Sequence, residues 1–154
     1  MAQTGMRRTA TIWVLIFVAA TACDVGVTQY ESDATETVVR QILRDAGTNE
    51  PSAFYLAWGH RLTAPSDAFL ARFGGHRPPV KSYAASRVLP TGHIVDSATG
   101  KVGAMLQIAE VEKKSDSEFD VEAALSSLPV MSNRFVYTVI QQDGRWIIKS
   151  RRPL

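Results

Sequence analysis

Turn signals divide the C-terminal half of the chain into extended segments, and this pattern constrains the fold more than any other feature. The turns are residues 96–100 (DSATG), residues 115–117 (SDS) and the pair Asp143 and Gly144, a strong hairpin signal. Strands joined by such short turns pair antiparallel. We therefore predict a meander of strands over residues 101–113, 118–125, 135–141 and 145–150.

One helix is predicted ahead of this meander. Asp33 and Glu36 have the spacing of a capping box, so the helix is expected to begin at Asp33. Gly47 is placed to end it. An apolar stripe at helical spacing lies between these two signals and predicts one buried face, formed by Val38, Val39, Ile42, Leu43 and Ala46.

The segment between this helix and the meander supplies shorter elements. Residues 53–58 form an apolar run suited to a buried strand, residues 65–73 a short helix, and residues 80–88 an extended segment after two prolines. The predicted fold class is α+β. We expect an N-terminal helix and a short second helix to pack on a curved antiparallel sheet of about five to six strands.

The first residues have the three parts of a secretory signal. Arg7 and Arg8 precede an apolar run of 14 residues, 9–22, whereas a spanning helix needs about 17 to 25 residues. Residues 20–23 (ATAC) resemble the lipobox of bacterial lipoproteins, with Ala20 where Leu is common. The cysteine count agrees, because Cys23 is the only cysteine and an exported chain gains no internal disulfide from it.

The lipoprotein resemblance implies a location and an anchor. Residues 1–22 would be removed as a signal peptide, and Cys23 would carry the fatty acyl groups that hold the protein to a membrane. Residues 23–32 would then be a tether and residues 33–154 a single domain. The domain would face the periplasm or the exterior, and Asp24 favours retention at the inner membrane.

The charge of the chain gives no evidence for a nucleic-acid partner. The whole chain has 17 basic and 15 acidic residues, and loss of Arg7 and Arg8 leaves 15 of each. Basic residues do gather near the C-terminus, at Lys149, Arg151 and Arg152. Either a contact with anionic lipid or a solvated terminus accounts for them.

The last hairpin carries a second resemblance. An apolar strand, Asp143 and Gly144, and the strand beginning Arg145-Trp146 resemble the closing hairpin of nuclear-transport-factor-two-like domains. Those are cone-shaped α+β folds, some of which bind small molecules and a few of which are enzymes. The resemblance covers about 15 residues, and the family opens with more helix than this chain has.

Catalytic and metal-binding motifs are absent from the sequence. There is no Gly-x-Ser-x-Gly elbow and no phosphate-binding glycine loop. His60, His76 and His93 lack the spacing of a zinc site. We therefore predict no catalytic residue, no metal and no cofactor.

Two groups of charged residues remain as candidate binding sites. Gly-His-Arg occurs twice, and His60, Arg61, His76 and Arg77 would form an anion-binding patch if the two loops met; otherwise they are solvated loop residues. A turn centred on Asp116 would pair Glu110 with Glu122 and Glu112 with Asp120. That acidic cluster fits either a solvated hairpin tip or a site for a cation or a basic partner.

Three functions follow as hypotheses. The first is a lipid-anchored envelope protein without catalytic activity, which binds another envelope component. The second is a domain that binds or hydrolyses a small molecule in a pocket, with His60 or Tyr83 among its inward polar groups. The third is an envelope inhibitor or immunity-type protein that meets a basic partner through its acidic face.

Overall fold

The computed structural model describes residues 29–46, 51–126 and 132–154. The predicted signal peptide, Cys23, Asp24 and the helix stop at Gly47 lie outside the described residues. The described chain contains two α-helices and eight β-strands: α1 (Asp33–Asp45), β1 (Phe54–Trp58), α2 (Asp67–Ala71), β2 (Val80–Ser82), β3 (Ser86–Val88), β4 (Ile94–Asp96), β5 (Ala104–Ser115), β6 (Glu118–Ser126), β7 (Ser132–Gln142) and β8 (Arg145–Pro153). None of the helices in these ranges is long and apolar enough to cross a membrane.

Six strands form one sheet in the order β2-β1-β5-β6-β7-β8, and β3 pairs with β4 separately. The predicted α+β class is confirmed, and β5 to β8 form the expected antiparallel meander. The sheet is mostly antiparallel, as expected, and the exception is β1, which lies parallel to both β2 and β5. The chain leaves β1 through α2, and this crossover returns it to the end of the sheet where β1 began.

The predicted extended segment 80–88 is broken in the structure. A 3₁₀ turn, Tyr83–Ala85, separates β2 from β3, and the Ser82 hydroxyl accepts a hydrogen bond from the Ala84 N–H at 3.3 Å. Alanine and serine favour strands weakly, and a serine hydroxyl offers the backbone an alternative hydrogen bond. At the far end of the sheet β7 is longer than predicted, since it begins at Ser132 and includes Asn133.

Helix α1 is capped one residue earlier than the sequence predicts. Ser32 is the N-cap, and its hydroxyl accepts from the Thr35 N–H at 3.2 Å. Asp33 therefore lies in the first turn, where its charge favours the positive end of the helix dipole. Glu36 bonds to Arg40 at 2.7 Å and to Arg72 at 2.8 Å, so it ties α1 to the end of α2.

The predicted apolar stripe of α1 packs on one face of the sheet. Val38, Val39, Ile42 and Leu43 are buried there, and each contributes roughly 1.5–3 kcal/mol by leaving water. The sheet residues of this core include Leu56, Leu106, Ile108, Val121 and Val139. On the opposite face, Tyr55 and Ala53 pack with Ile94 of β4 in a smaller cluster.

The residues just before α1 contact the domain, although the sequence analysis assigns residues 23–32 to a tether. The ring of Tyr30 stacks on Trp58 with centroids 5.9 Å apart. The Glu31 carboxylate accepts two hydrogen bonds of 2.6 Å from Ser66, one from its N–H and one from its hydroxyl. It also accepts from Trp58 Nε1 at 3.4 Å. Of the predicted tether, the part from Tyr30 onward belongs to the folded domain.

We expect Glu31→Ala to lower the free energy of unfolding by about 1–3 kcal/mol, because it leaves the Ser66 and Trp58 donors without their charged acceptor. Urea unfolding measures this change. Gln29→Ala, at an exposed position, is the matched control and should change stability by less than about 0.5 kcal/mol. Equal effects of the two substitutions would show that residues 30–32 are a loose tether after all.

Candidate functional site

A cavity of about 540 Å³ lies between the C-terminal turn of α1 and the adjoining face of β6, β7 and β8. Small side chains leave this space, since Ala46 of the helix cap and Ala123 of β6 both line it. The walls are otherwise apolar or aromatic, with four polar residues among them. The lining consists of Ile42, Asp45, Ala46, Ala123, Leu125, Asn133, Phe135, Tyr137 and Arg151.

A β-bulge decides which basic residue of β8 enters this cavity. Trp146 and Ile148 pack against the core, so simple alternation would place Ser150 and Arg152 on the same face. Ser150 instead pairs with Thr138, and Ile148 pairs with the next residue of β7, Val139. Lys149 is the extra residue between them. The bulge reverses the facing beyond it, so Arg151 points to the helix side and Arg152 to the other.

Arg151 contacts the side chains of Asp45 and Phe135. Its Nη1 donates to Asp45 Oδ2 at 3.0 Å, and its guanidinium carbon lies 4.6 Å from the centre of the Phe135 ring. These contacts join the last turn of α1 to the last strand of the sheet. The arginine side chain remains 47% exposed, so the guanidinium is accessible from the cavity.

Tyr137 is the buried polar residue of the cavity. It pairs with Arg151 across β7 and β8. Burial raises the pKa of its phenol, while a hydrogen bond to Arg151 and the charge of that residue act in the opposite direction. The phenol is therefore neutral near pH 7 and keeps its proton for hydrogen bonding.

The two Gly-His-Arg loops do not form the anion-binding patch considered above. His76 lies edge-on to Phe54 at the start of β1, with centroids 5.9 Å apart, and its Nδ1 is 2.6 Å from the Pro78 carbonyl oxygen. His60 and Arg61 follow the end of β1 and are exposed. The five-residue strand separates the loops by about 13 Å. Arg77 is also exposed, so the solvated-loop interpretation fits His60, Arg61 and Arg77, whereas His76 is half-buried.

The predicted register of the acidic hairpin is confirmed. Glu110 pairs with Glu122, and Glu112 with Asp120, while a bulge between Ile108 and Glu110 turns these carboxylates to the face opposite α1. They line a second cavity of about 140 Å³ together with Arg152.

Basic side chains from this chain offset the acidic cluster. Lys114 lies 2.6 Å from Glu112 and 3.8 Å from Asp120. Arg134, one strand further along the sheet, pairs with Glu122. Within the described ranges, no group of three or more His, Cys, Asp or Glu side chains is arranged to hold a metal ion. These pairings make the solvated, internally balanced surface the simpler account of Glu110, Glu112, Asp120 and Glu122.

The basic residues near the C-terminus lie on β8, where Arg151 bonds to Asp45 and Lys149 lies 3.8 Å from Glu118. Their side chains are exposed, and contact with anionic lipid stays a prediction. His60 and Tyr83 do not line the main cavity. Tyr83 packs with the small cluster on the opposite face of the sheet.

Sequence reasoning missed the cavity residues themselves. The predicted strand 135–141 contains Phe135 and Tyr137, and Tyr137 is buried, but no sequence pattern indicates the space beside them. Asp45 reads as an exposed residue at the end of an amphipathic helix. No local signal identifies Arg151, because its facing depends on the bulge at Lys149.

A buried polar network lies apart from both cavities. Asp96 is 4% exposed and accepts hydrogen bonds from Lys81 Nζ at 2.7 Å and from the Tyr55 hydroxyl at 2.9 Å. It also accepts from the Thr99 N–H at 2.9 Å, which closes the predicted 96–100 turn. The bonds from Lys81, Tyr55 and Thr99, in that order, hold the pKa of Asp96 well below 3.8. Burial, followed by the bond to Asp96, raises the pKa of Tyr55.

We expect Asp96→Asn to destabilise the domain in a pH-dependent way. The carboxyl pKa is lower in the folded than in the unfolded chain, so its stabilising effect is complete above about pH 5 and declines as the pH falls through 3.8. The difference in Tm between wild type and variant should therefore be constant from about pH 5 to 7 and shrink below about pH 4. Asp67→Asn, at an exposed position, is the control, and a pH-independent difference for Asp96→Asn would contradict the network.

Comparison with protein-family models, with curated proteins and with solved structures finds no match to this chain.

Proposed function

We propose that this chain is a lipid-anchored protein of a bacterial cell envelope whose domain binds a small molecule in the cavity between α1 and β6 to β8. The cavity carries the proposal. Its volume of about 540 Å³ lies within the range of roughly 300–1,000 Å³ typical of small-molecule sites. Apolar walls with a few convergent polar groups are the usual composition of such sites.

Binding without catalysis is the activity that the lining favours. Among the described residues that line the cavity there is no serine, cysteine or histidine. Covalent catalysis by a serine hydroxyl or a cysteine thiol therefore has no nucleophile among these residues. Of the hypotheses above, the domain that binds a small molecule in a pocket therefore has the most support. A helix that ends over a sheet with a cavity beneath it is also compatible with the resemblance to cone-shaped nuclear-transport-factor-two-like domains.

The location rests on the N-terminal pattern. Cys23, which follows Ala20-Thr21-Ala22, would be acylated, and the lipid would anchor the protein to the membrane. Asp24 favours retention at the inner membrane. The domain would face the periplasm or the exterior. Another envelope protein is the alternative partner. An inhibitor that attracts a basic protein has less support than small-molecule binding, because the acidic face is already paired with Lys114 and Arg134. Balanced formal charge gives no support to a nucleic-acid partner.

Small-molecule binding is tested with biphenylacetamide, a neutral probe with an apolar body and a polar end, titrated into the full chain in a non-ionic detergent. We expect saturable binding by calorimetry. Ala46→Phe should weaken it about tenfold or more, because the new ring occupies the cavity. Ala84→Phe places the same ring at an exposed position and should bind as wild type does. Equal binding by Ala46→Phe would place the probe elsewhere and refute the cavity as the site.

The anchor is tested separately by labelling cells with palmitate. We expect the wild-type protein to take up label and to sediment with membranes, and Cys23→Ser to lose the label because serine has no thiol to acylate. Ala20→Leu, which restores the common lipobox residue, should keep the label. Incorporation of label into Cys23→Ser would exclude this cysteine as the attachment point.

A further inference from the structure

We infer that the ligand of the main cavity is an organic anion, with an apolar or aromatic body and a carboxylate or similar acidic group that meets Arg151. This inference rests on the proposed small-molecule function and adds the charge of the ligand to it. Three features carry it: the acceptors of Asp45 are already engaged, the guanidinium of Arg151 has donors to spare, and the phenol of Tyr137 is protonated.

Asp45 is committed to partners within the domain. Its Oδ1 accepts from Gln41 Nε2 at 2.7 Å, and its Oδ2 accepts from Arg151 Nη1 at 3.0 Å. The amide of Gln41 is oriented by Arg44, whose Nη2 donates to Gln41 Oε1 at 2.7 Å. Both carboxylate oxygens therefore face a donor. A cationic ligand would have to share these oxygens with Gln41 and Arg151, and would meet the like charge of Arg151 there.

Arg151 retains donors that a ligand can use. A guanidinium carries five N–H groups in a fixed plane. Asp45 receives a bond from Nη1 and Tyr137 is also bonded to Arg151, which leaves further N–H groups for a ligand. The Phe135 ring, 4.6 Å below, packs against the guanidinium and restricts its orientation. An arginine held in this way is suited to the paired oxygens of a carboxylate.

Tyr137 adds a further donor on the same side of the sheet. It pairs with Arg151 across the strands, and burial keeps its phenol neutral. The carboxylate of Asp45 is the charged acceptor of the lining, and it already accepts hydrogen bonds from Gln41 and Arg151. The groups that remain for a ligand at this end of the cavity are therefore mainly the donors of Arg151 and Tyr137. An acidic group on the ligand satisfies these donors while its body fills the space beside Leu125 and Ala123.

The test compares three probes that share one apolar body: biphenylacetate, biphenylacetamide and biphenylethylamine, which are anionic, neutral and cationic near pH 7. Each is titrated into the full chain by calorimetry in the same detergent. We expect the acetate to bind about tenfold or more tightly than the amine, with the amide between them. Tightest binding of the amine, or equal binding of all three, would overturn the inference and leave small-molecule binding intact.

Variants of β8 assign the preference to Arg151. Arg151→Gln should weaken acetate binding more than amide binding and so abolish the preference for the acetate. Arg152→Gln is the matched control, because Arg152 is the next residue but faces the acidic cavity on the other side. Retention of the acetate preference in Arg151→Gln, or its loss in Arg152→Gln, would overturn the inference.

Asp45→Asn should change acetate binding in the opposite direction to Arg151→Gln. Removing the negative charge that competes for Arg151 should maintain or increase acetate binding and should not favour the amine. A switch of preference to the amine would contradict the assignment. If none of the three probes binds wild type saturably, the proposed small-molecule function fails, and the anion inference fails with it.

Discussion

The packing of α1 on β6, β7 and β8 is the contact on which the rest of the structure depends. Val38, Val39, Ile42 and Leu43 fill the space over the sheet through most of the helix. At the C-cap of the helix the side chain is the small Ala46, and Ala123 of β6 lines the same cavity. Large side chains close the core along the helix, and small ones leave a cavity at its end. The same helix therefore supplies the stability of the domain and the opening of its candidate site.

Two β-bulges distribute the charges of the sheet between its faces. The bulge near Ala109 in β5 keeps Val111 in the core and turns Glu110 and Glu112 outward. The bulge at Lys149 in β8 places Arg151 beside Asp45 and leaves Arg152 on the acidic face. One arginine thus becomes part of the cavity while its neighbour meets the carboxylates. A single-residue shift in either strand would exchange these roles, because side chains alternate between faces.

The part of the acidic hairpin that could be predicted from sequence follows from short-range geometry. The Ser115–Ser117 turn fixes the pairing of β5 with β6, so Glu110 meets Glu122 and Glu112 meets Asp120 as expected. What balances them could not be predicted in the same way. Arg134 belongs to β7, which pairs with β6, and its side chain forms an ion pair with Glu122 of β6. A cation site is an alternative when only the acidic residues of the hairpin are considered, and Arg134 of the neighbouring strand makes it unnecessary at Glu122.

The α+β class, the helix with its apolar stripe and the meander with its turns could be predicted from sequence, because these patterns involve residues close together in the chain. The lipid anchor at Cys23 stays a prediction from the lipobox resemblance. The parallel pairing of β1, the docking of Tyr30 on Trp58, and the site formed by Asp45 and Arg151 follow from the three-dimensional packing alone. The last two residues are separated by 106 positions. Their contact depends on a helix ending over the sheet and on a bulge that reverses the facing of β8, and neither is encoded in the local alternation of side chains.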